Sequence, residues 1–109
     1  MANFCGQLVG VIEHSTNYVR FSVFVTQTGQ IITYYQQEVN KILPREGWIE
    51  QDPNQIADTV LHCIEVVAHK LAQLDIELSQ IKCIGITNER ESTVVWDKYT
   101  GNQYFVFIV

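Results

Sequence analysis

Basic residues are scarce in this sequence. Seven Lys and Arg stand against twelve Asp and Glu, for a formal net charge of −5 and a pI near 5.0, and the basic residues are scattered. A nucleic acid, whose backbone is neutralised by clustered Lys and Arg, is therefore not an expected partner. Long apolar runs are absent as well: none approaches the roughly 20 residues that cross a bilayer. The start, Met1-Ala2-Asn3-Phe4-Cys5, lacks the basic flank of a signal peptide. No transmembrane segment is expected, and the expected location is cytoplasmic. Cysteine is limited to Cys5, Cys63 and Cys83, an odd and widely spaced set in mostly apolar surroundings that suits neither a disulfide framework nor a zinc site. All three read as small buried hydrophobes. Proline is limited to Pro44 and Pro53, which bracket the one plausible long internal loop.

What is present is an ordinary globular balance of 47% hydrophobic and 17% charged residues in 109 positions, enough for one modest core and a single domain. Gln7 to Ile12 is a short branched apolar run that suits a central strand covered on both faces. A polar turn, His14-Ser15-Thr16-Asn17, follows. Arg20 to Thr26 alternates with Phe21, Val23 and Val25 on one face, and Ile31 to Tyr35 follows a connection in which Gly29 can supply a positive φ. The three segments read as an antiparallel meander. A helix begins at Asp52, which can cap it, with Pro53 at the first position and Gln55 completing a capping-box-like pattern. Ile56, Val60, Ile64, Val67, Leu71 and Leu74 then recur at helical spacing. Ile81 to Thr87 is a further strand, which a right-handed crossover would lay parallel to one already formed. Thr93 to Asp97, a turn at Lys98 to Asn102, and Gln103 onward read as a terminal hairpin. The closing run Tyr104 to Val109 is wholly apolar or aromatic, an aggregation-prone sheet edge that reads as the mark of a coding sequence cut short.

Two turns at strand ends mix charge with tight-turn residues. Glu13 to Arg20 could offer backbone N–H groups and hydroxyls to a phosphate, with a cation nearby and a carboxylate for a metal ion. Thr87 to Ser92 follows the fourth strand, where ligands of α/β sheets usually sit. There Arg90 and Glu91 could respectively donate to and accept from the hydroxyls of a polyol. Plain solvated turns are the alternative at both places. His62 and His69 fall off the helical stripe and read as surface or boundary residues.

The words of the sequence resemble a known family. Pro44-Arg45-Glu46-Gly47-Trp48-Ile49-Glu50-Gln51-Asp52-Pro53 is similar to the loop that glycerol kinases carry before their first long helix. Ile84-Gly85-Ile86-Thr87-Asn88-Glu89-Arg90-Glu91-Ser92-Thr93-Val94-Val95-Trp96-Asp97-Lys98, with Thr100-Gly101, is similar to the same family's strand and glycerol-contacting turn. The resemblance runs from about Leu8 to Gln103 and points to the glycerol kinase branch of the FGGY carbohydrate kinases. It implies an α/β, ribonuclease-H-like (actin-like ATPase) fold, with residues 1–109 forming part of the N-terminal domain. It also implies ATP and Mg²⁺ as cofactors, and transfer of the γ-phosphoryl of ATP to the 3-hydroxyl of glycerol. By the same resemblance Arg90 and Glu91 hold glycerol, Thr16 and Arg20 contact nucleotide, and Glu13 stands at the metal.

This chain departs from the family at the phosphate turn. Where the family has Asp-Gln-Gly-Thr, three small residues and Arg, this chain has Glu13, His14, Ser15, Thr16, then Asn17, Tyr18, Val19 and Arg20. Glu13 carries its carboxylate one methylene further out. Ser15 replaces a glycine, at about 1 kcal/mol or more if the same turn is kept. Glu89 replaces a usual Gln and adds a negative charge beside the substrate turn. The family's catalytic base and adenosine pocket correspond to nothing within these 109 residues. The expectation is an inactive N-terminal fragment of a glycerol kinase; the alternative is a non-catalytic module that pairs through its sheet edge with itself or with a full-length kinase.

Overall fold

The computed structural model describes residues 7–89 and 92–107. Cys5, Arg90, Glu91, Ile108 and Val109, singled out above, lie outside the described residues. The chain runs β1 (Leu8–His14), β2 (Tyr18–Val25), β3 (Ile31–Glu38), α1 (Pro53–Gln73), a 3-10 turn at Leu78–Gln80, β4 (Ile81–Thr87), β5 (Thr93–Trp96) and β6 (Gln103–Phe107). The first four strands form one sheet in the order β3-β2-β1-β4, and β5 and β6 form a separate antiparallel pair. Within the four-stranded sheet β1 is antiparallel to β2 and parallel to β4, as the meander and crossover require. The 3-10 turn carries no periodic apolar signal in the sequence.

The core lies between one face of the sheet and α1. Alternation on β2 sends Val19, Phe21, Val23 and Val25 to that face, where they are buried with Leu8, Cys63, Val67 and Leu71. Gly10 belongs to this layer for a steric reason: a Cβ there would lie 2.8 Å from two ring carbons of Phe21. The glycine is what lets the phenyl ring approach β1 this closely. The buried helical stripe is Thr59, Cys63, Val67 and Leu71, flanked by the half-buried Ile56, Val60 and Ile64. It is therefore rotated slightly from the expected one, and Leu74 is a correction, since it is the C-cap residue and is exposed. Thr59 is tolerated in the stripe because its hydroxyl donates to the Gln55 carbonyl at 2.7 Å.

The helix starts as its sequence requires, with the Asp52 carboxylate accepting from the Asn54 N–H at 2.9 Å and Pro53 in the first turn. Gln55, expected to close a capping box, directs its amide oxygen to the Asn40 N–H and so ties the incoming loop to the helix. At the other end Asp75 adopts φ +58°, with Asp75 N–H bonded to Ala72 O and Ile76 N–H to Leu71 O. This is a Schellman end without its usual glycine, closed by burial of Ile76.

Two further expectations are corrected. β1 is central in the sheet, but α1 packs chiefly against β2 and β3, and Val9 and Val11 on β1 are half-buried. Cys83 is exposed on β4, whereas Cys63 is buried as expected. β4 stands at the edge of the described sheet, away from the strands on which α1 packs, so both of its faces are open and Ile84 and Ile86 are 49% and 71% exposed.

Candidate functional site

The β1–β2 turn is a three-residue connection, Ser15 to Asn17, between strands in tight register: Glu13 pairs with Arg20 and His14 with Val19. Ser15 N–H closes it onto Tyr18 O at 2.9 Å, and Val39 N–H binds Asn17 O at 3.0 Å from the end of β3. Asp75 is the sole non-glycine at positive φ among the described residues, so Ser15 occupies this turn without left-handed strain. The penalty expected for replacing a glycine does not arise in the turn as it is formed here.

Side chains leave the turn on both faces of the sheet. On the helix side, Gln51 is 1% exposed and uses both ends of its amide. Its Nε2 donates to Thr16 O at 2.6 Å. Its Oε1 lies 3.2 Å from His14 Nε2, so with the amide nitrogen already given to a carbonyl, His14 must donate through Nε2. Gln51 sits one residue before the helix cap, which places it under the turn once α1 docks. Local spacing gave no sign of this pairing; its only signal was a polar residue flanked by the cap and an aromatic loop.

On the opposite face Glu13, Arg20 and Gln36 form a row across β1, β2 and β3. Arg20 Nη2 donates to both Glu13 oxygens, at 2.6 and 2.8 Å, and Nη1 to Gln36 Oε1 at 3.3 Å. Tyr18 OH donates to Glu13 Oε2 at 3.1 Å, and its ring lies 5.1 Å from the Arg20 guanidinium carbon. The hydrogen bond to Glu13 outweighs the partial burial of Arg20 and raises its pKa further, so the guanidinium keeps its charge.

The second turn meets the first at the carboxyl ends of β1 and β4. Thr16 Oγ1 donates to Glu89 Oε1, a contact between residues far apart in the chain. Thus Glu13, Thr16 and Arg20 are brought to one end of the sheet, joined there by Glu89, which flanks the undescribed Arg90 and Glu91. A cavity of about 300 Å³ opens at Glu89 on the helix side, lined by His14, Gln51, Asn88, Glu89 and Ser92 over an apolar floor. A larger depression of about 720 Å³ runs along β3 and Lys70; it lies away from the strand ends where chemistry-bearing residues converge. Among the described residues no group of three or more His, Cys, Asp or Glu could hold a metal ion. In this arrangement both Glu13 oxygens accept from Arg20 Nη2. No described helix is long and apolar enough to cross a membrane.

Comparison with known proteins agrees with this architecture. The family model for the N-terminal domain of the FGGY family of carbohydrate kinases matches residues 8–108. A probable glycerol kinase of Caenorhabditis elegans is 41% identical over 102 residues, covering 94% of this chain and 20% of the relative. A glycerol kinase of Oceanobacillus iheyensis is 44% identical over 98 residues, covering 90% of this chain and 19% of the relative. Among solved structures, Plasmodium falciparum glycerol kinase with ADP superposes with a TM-score of 0.84 at 25% identity, over 94% of this chain and 20% of that one. The chain spans about one fifth of the length of these relatives. The four-stranded sheet and its helix are a part of the ribonuclease-H-like, actin-like ATPase fold. The chain belongs to the FGGY family of carbohydrate kinases.

Proposed function

We propose that this chain forms part of the N-terminal domain of a glycerol kinase, a cytoplasmic phosphotransferase that moves the γ-phosphoryl of ATP to the 3-hydroxyl of glycerol. The observation that carries this reading is the meeting of the two turns: Thr16, on the nucleotide side, is bonded to Glu89, the neighbour of the glycerol-holding pair. In this reading Thr16 and Arg20 face the nucleotide phosphates, and Arg90 and Glu91 hold the glycerol hydroxyls. Such chemistry is mostly positioning and charge stabilisation. Gln51 supports it by holding the Thr16 carbonyl, and therefore the turn, in place. The general base and the adenosine pocket have no counterpart in these residues, so the 109-residue chain by itself does not turn over. Purified chain incubated with ATP, Mg²⁺ and glycerol should yield no glycerol 3-phosphate above a no-protein control; measurable product would overturn this division of labour.

A second reading is favoured by the exposed Ile84 and Ile86 on the edge strand β4. A sheet edge of this composition can pair with another strand, making the chain an interaction module. Size-exclusion chromatography with and without a full-length glycerol kinase distinguishes the two: co-elution supports the module, and separate elution opposes it.

A further inference from the structure

Of the two side chains that would meet a phosphate, Thr16 gives its one hydroxyl proton, and Arg20 one of its guanidinium nitrogens, to a carboxylate of the same chain. Arg20 Nη2 is shared between both oxygens of Glu13, and Thr16 Oγ1 donates to Glu89. The first carboxylate is additionally held by Tyr18 OH, and the second Arg20 nitrogen by Gln36. A hydroxyl has one proton to donate, so Thr16 cannot serve Glu89 and a phosphate oxygen together. An incoming polyanion would also meet two negative charges at short range, in a partly enclosed place where Coulombic repulsion is stronger than in bulk water.

We propose that Glu13 and Glu89 are specificity-determining residues that keep this turn self-occupied, acting as resident competitors for the groups that would bind polyphosphate. The inference rests on the reading of Thr16 and Arg20 as nucleotide-contacting residues. It assigns to Glu13 a role as the partner of Arg20. The two carboxylates act independently, one on each side of the turn, so their effects on affinity should accumulate.

The test is calorimetric titration of the full chain with sodium tripolyphosphate, comparing the wild type with the Glu13→Gln/Glu89→Gln variant. The neutralised variant should bind about tenfold more tightly or better, equivalent to ~1.4 kcal/mol, and adding Arg20→Gln should remove the part of the gain that Glu13→Gln supplies while leaving the Glu89→Gln part. Affinities equal within about twofold, less than 0.5 kcal/mol, would overturn the competitor role while leaving the phosphate-contacting role of Thr16 and Arg20 intact. Absence of binding by either protein, with both folded by circular dichroism, would overturn that underlying role and the inference with it. Glu13→Gln and Glu89→Gln singly should each give part of the gain, and they provide the same comparison if the double variant does not fold.

Discussion

Glu13 on β1 and Arg20 on β2 are direct cross-strand partners, and one guanidinium nitrogen of Arg20 lies 2.6 Å from one Glu13 oxygen and 2.8 Å from the other. The pair turns a strand register into an electrostatic statement about the adjoining turn. Its side chains are 33% and 28% exposed, so solvent screens it, and its contribution to stability is on the order of 0.2–1 kcal/mol. Urea unfolding of Glu13→Gln should shift the midpoint only slightly. A loss of several kcal/mol would mean that the pair is a structural element and not chiefly a local occupant of the turn.

Gly10→Ala should destabilise the chain by about 1–3 kcal/mol, the usual range for overpacking a filled core. The added methyl would meet Phe21 at 2.8 Å, and the ring is held by the layer of β2 and α1 side chains. Shortening the obstacle should relieve the strain: Phe21→Leu in the Gly10→Ala background should cost less than Phe21→Leu alone, a coupling readable from a double-mutant cycle in urea.

Gln51→Ala should cost about 1–3 kcal/mol by leaving the half-buried Thr16 carbonyl without its donor. Gln51→Glu keeps the shape but also cannot donate when ionised, so it should be no better than alanine. The readout specific to the proposed contact is the His14 ring: long-range ¹H–¹⁵N spectra should show the Nε2–H tautomer in the wild type and a mixture in Gln51→Ala. An unchanged tautomer would count against the Gln51–His14 bond.

Asp75→Gly should stabilise the chain, by roughly 0.5–1 kcal/mol, because φ +58° is unfavourable for a residue with a Cβ and free for glycine. The Schellman bonds and the burial of Ile76 do not depend on the Asp75 side chain. A raised midpoint of thermal unfolding would bear this out, and a lowered one would point to a role for the carboxylate.

The two described cysteines should differ in reactivity. Cys63 is buried, with its Sγ 3.7 Å from Val19 O, and burial pushes its thiol above the usual value near 9.0, whereas Cys83 is exposed. Iodoacetamide should label Cys83 in the native chain and reach Cys63 only on unfolding. Because the folded pKa of Cys63 is raised, its contribution to stability is complete below the unfolded thiol pKa and is lost as pH rises from there through the folded pKa. Cys63→Ala should flatten that alkaline decline.

Much of the architecture was legible because it rests on local rules. Asp52 and Pro53 mark a helix start wherever they stand before a periodic apolar run, and Phe21, Val23 and Val25 alternate as a one-sided strand must. The parts that were not legible depend on what lies across the fold. Asp75 ends α1 where a glycine would have been the readable signal, and Leu74 continued the helical spacing one step past the helix. Cys83 sits among branched apolar residues, yet β4 stands at the edge of the described sheet, so composition misplaced it. At the candidate site the turn residues Glu13, Thr16 and Arg20 were visible. Their partners were less so: Glu89 lies 73 residues from Thr16 and Gln51 lies 35 from it, distances that no periodicity spans.

The most direct test of the proposed function is domain replacement. Residues 8–103 of this chain, exchanged for the matching segment of the Oceanobacillus iheyensis glycerol kinase, should yield a folded protein that forms glycerol 3-phosphate from ATP and glycerol. Arg90→Ala in that chimera should abolish the activity. A folded chimera with no glycerol phosphorylation, or one indifferent to Arg90, would contradict the account.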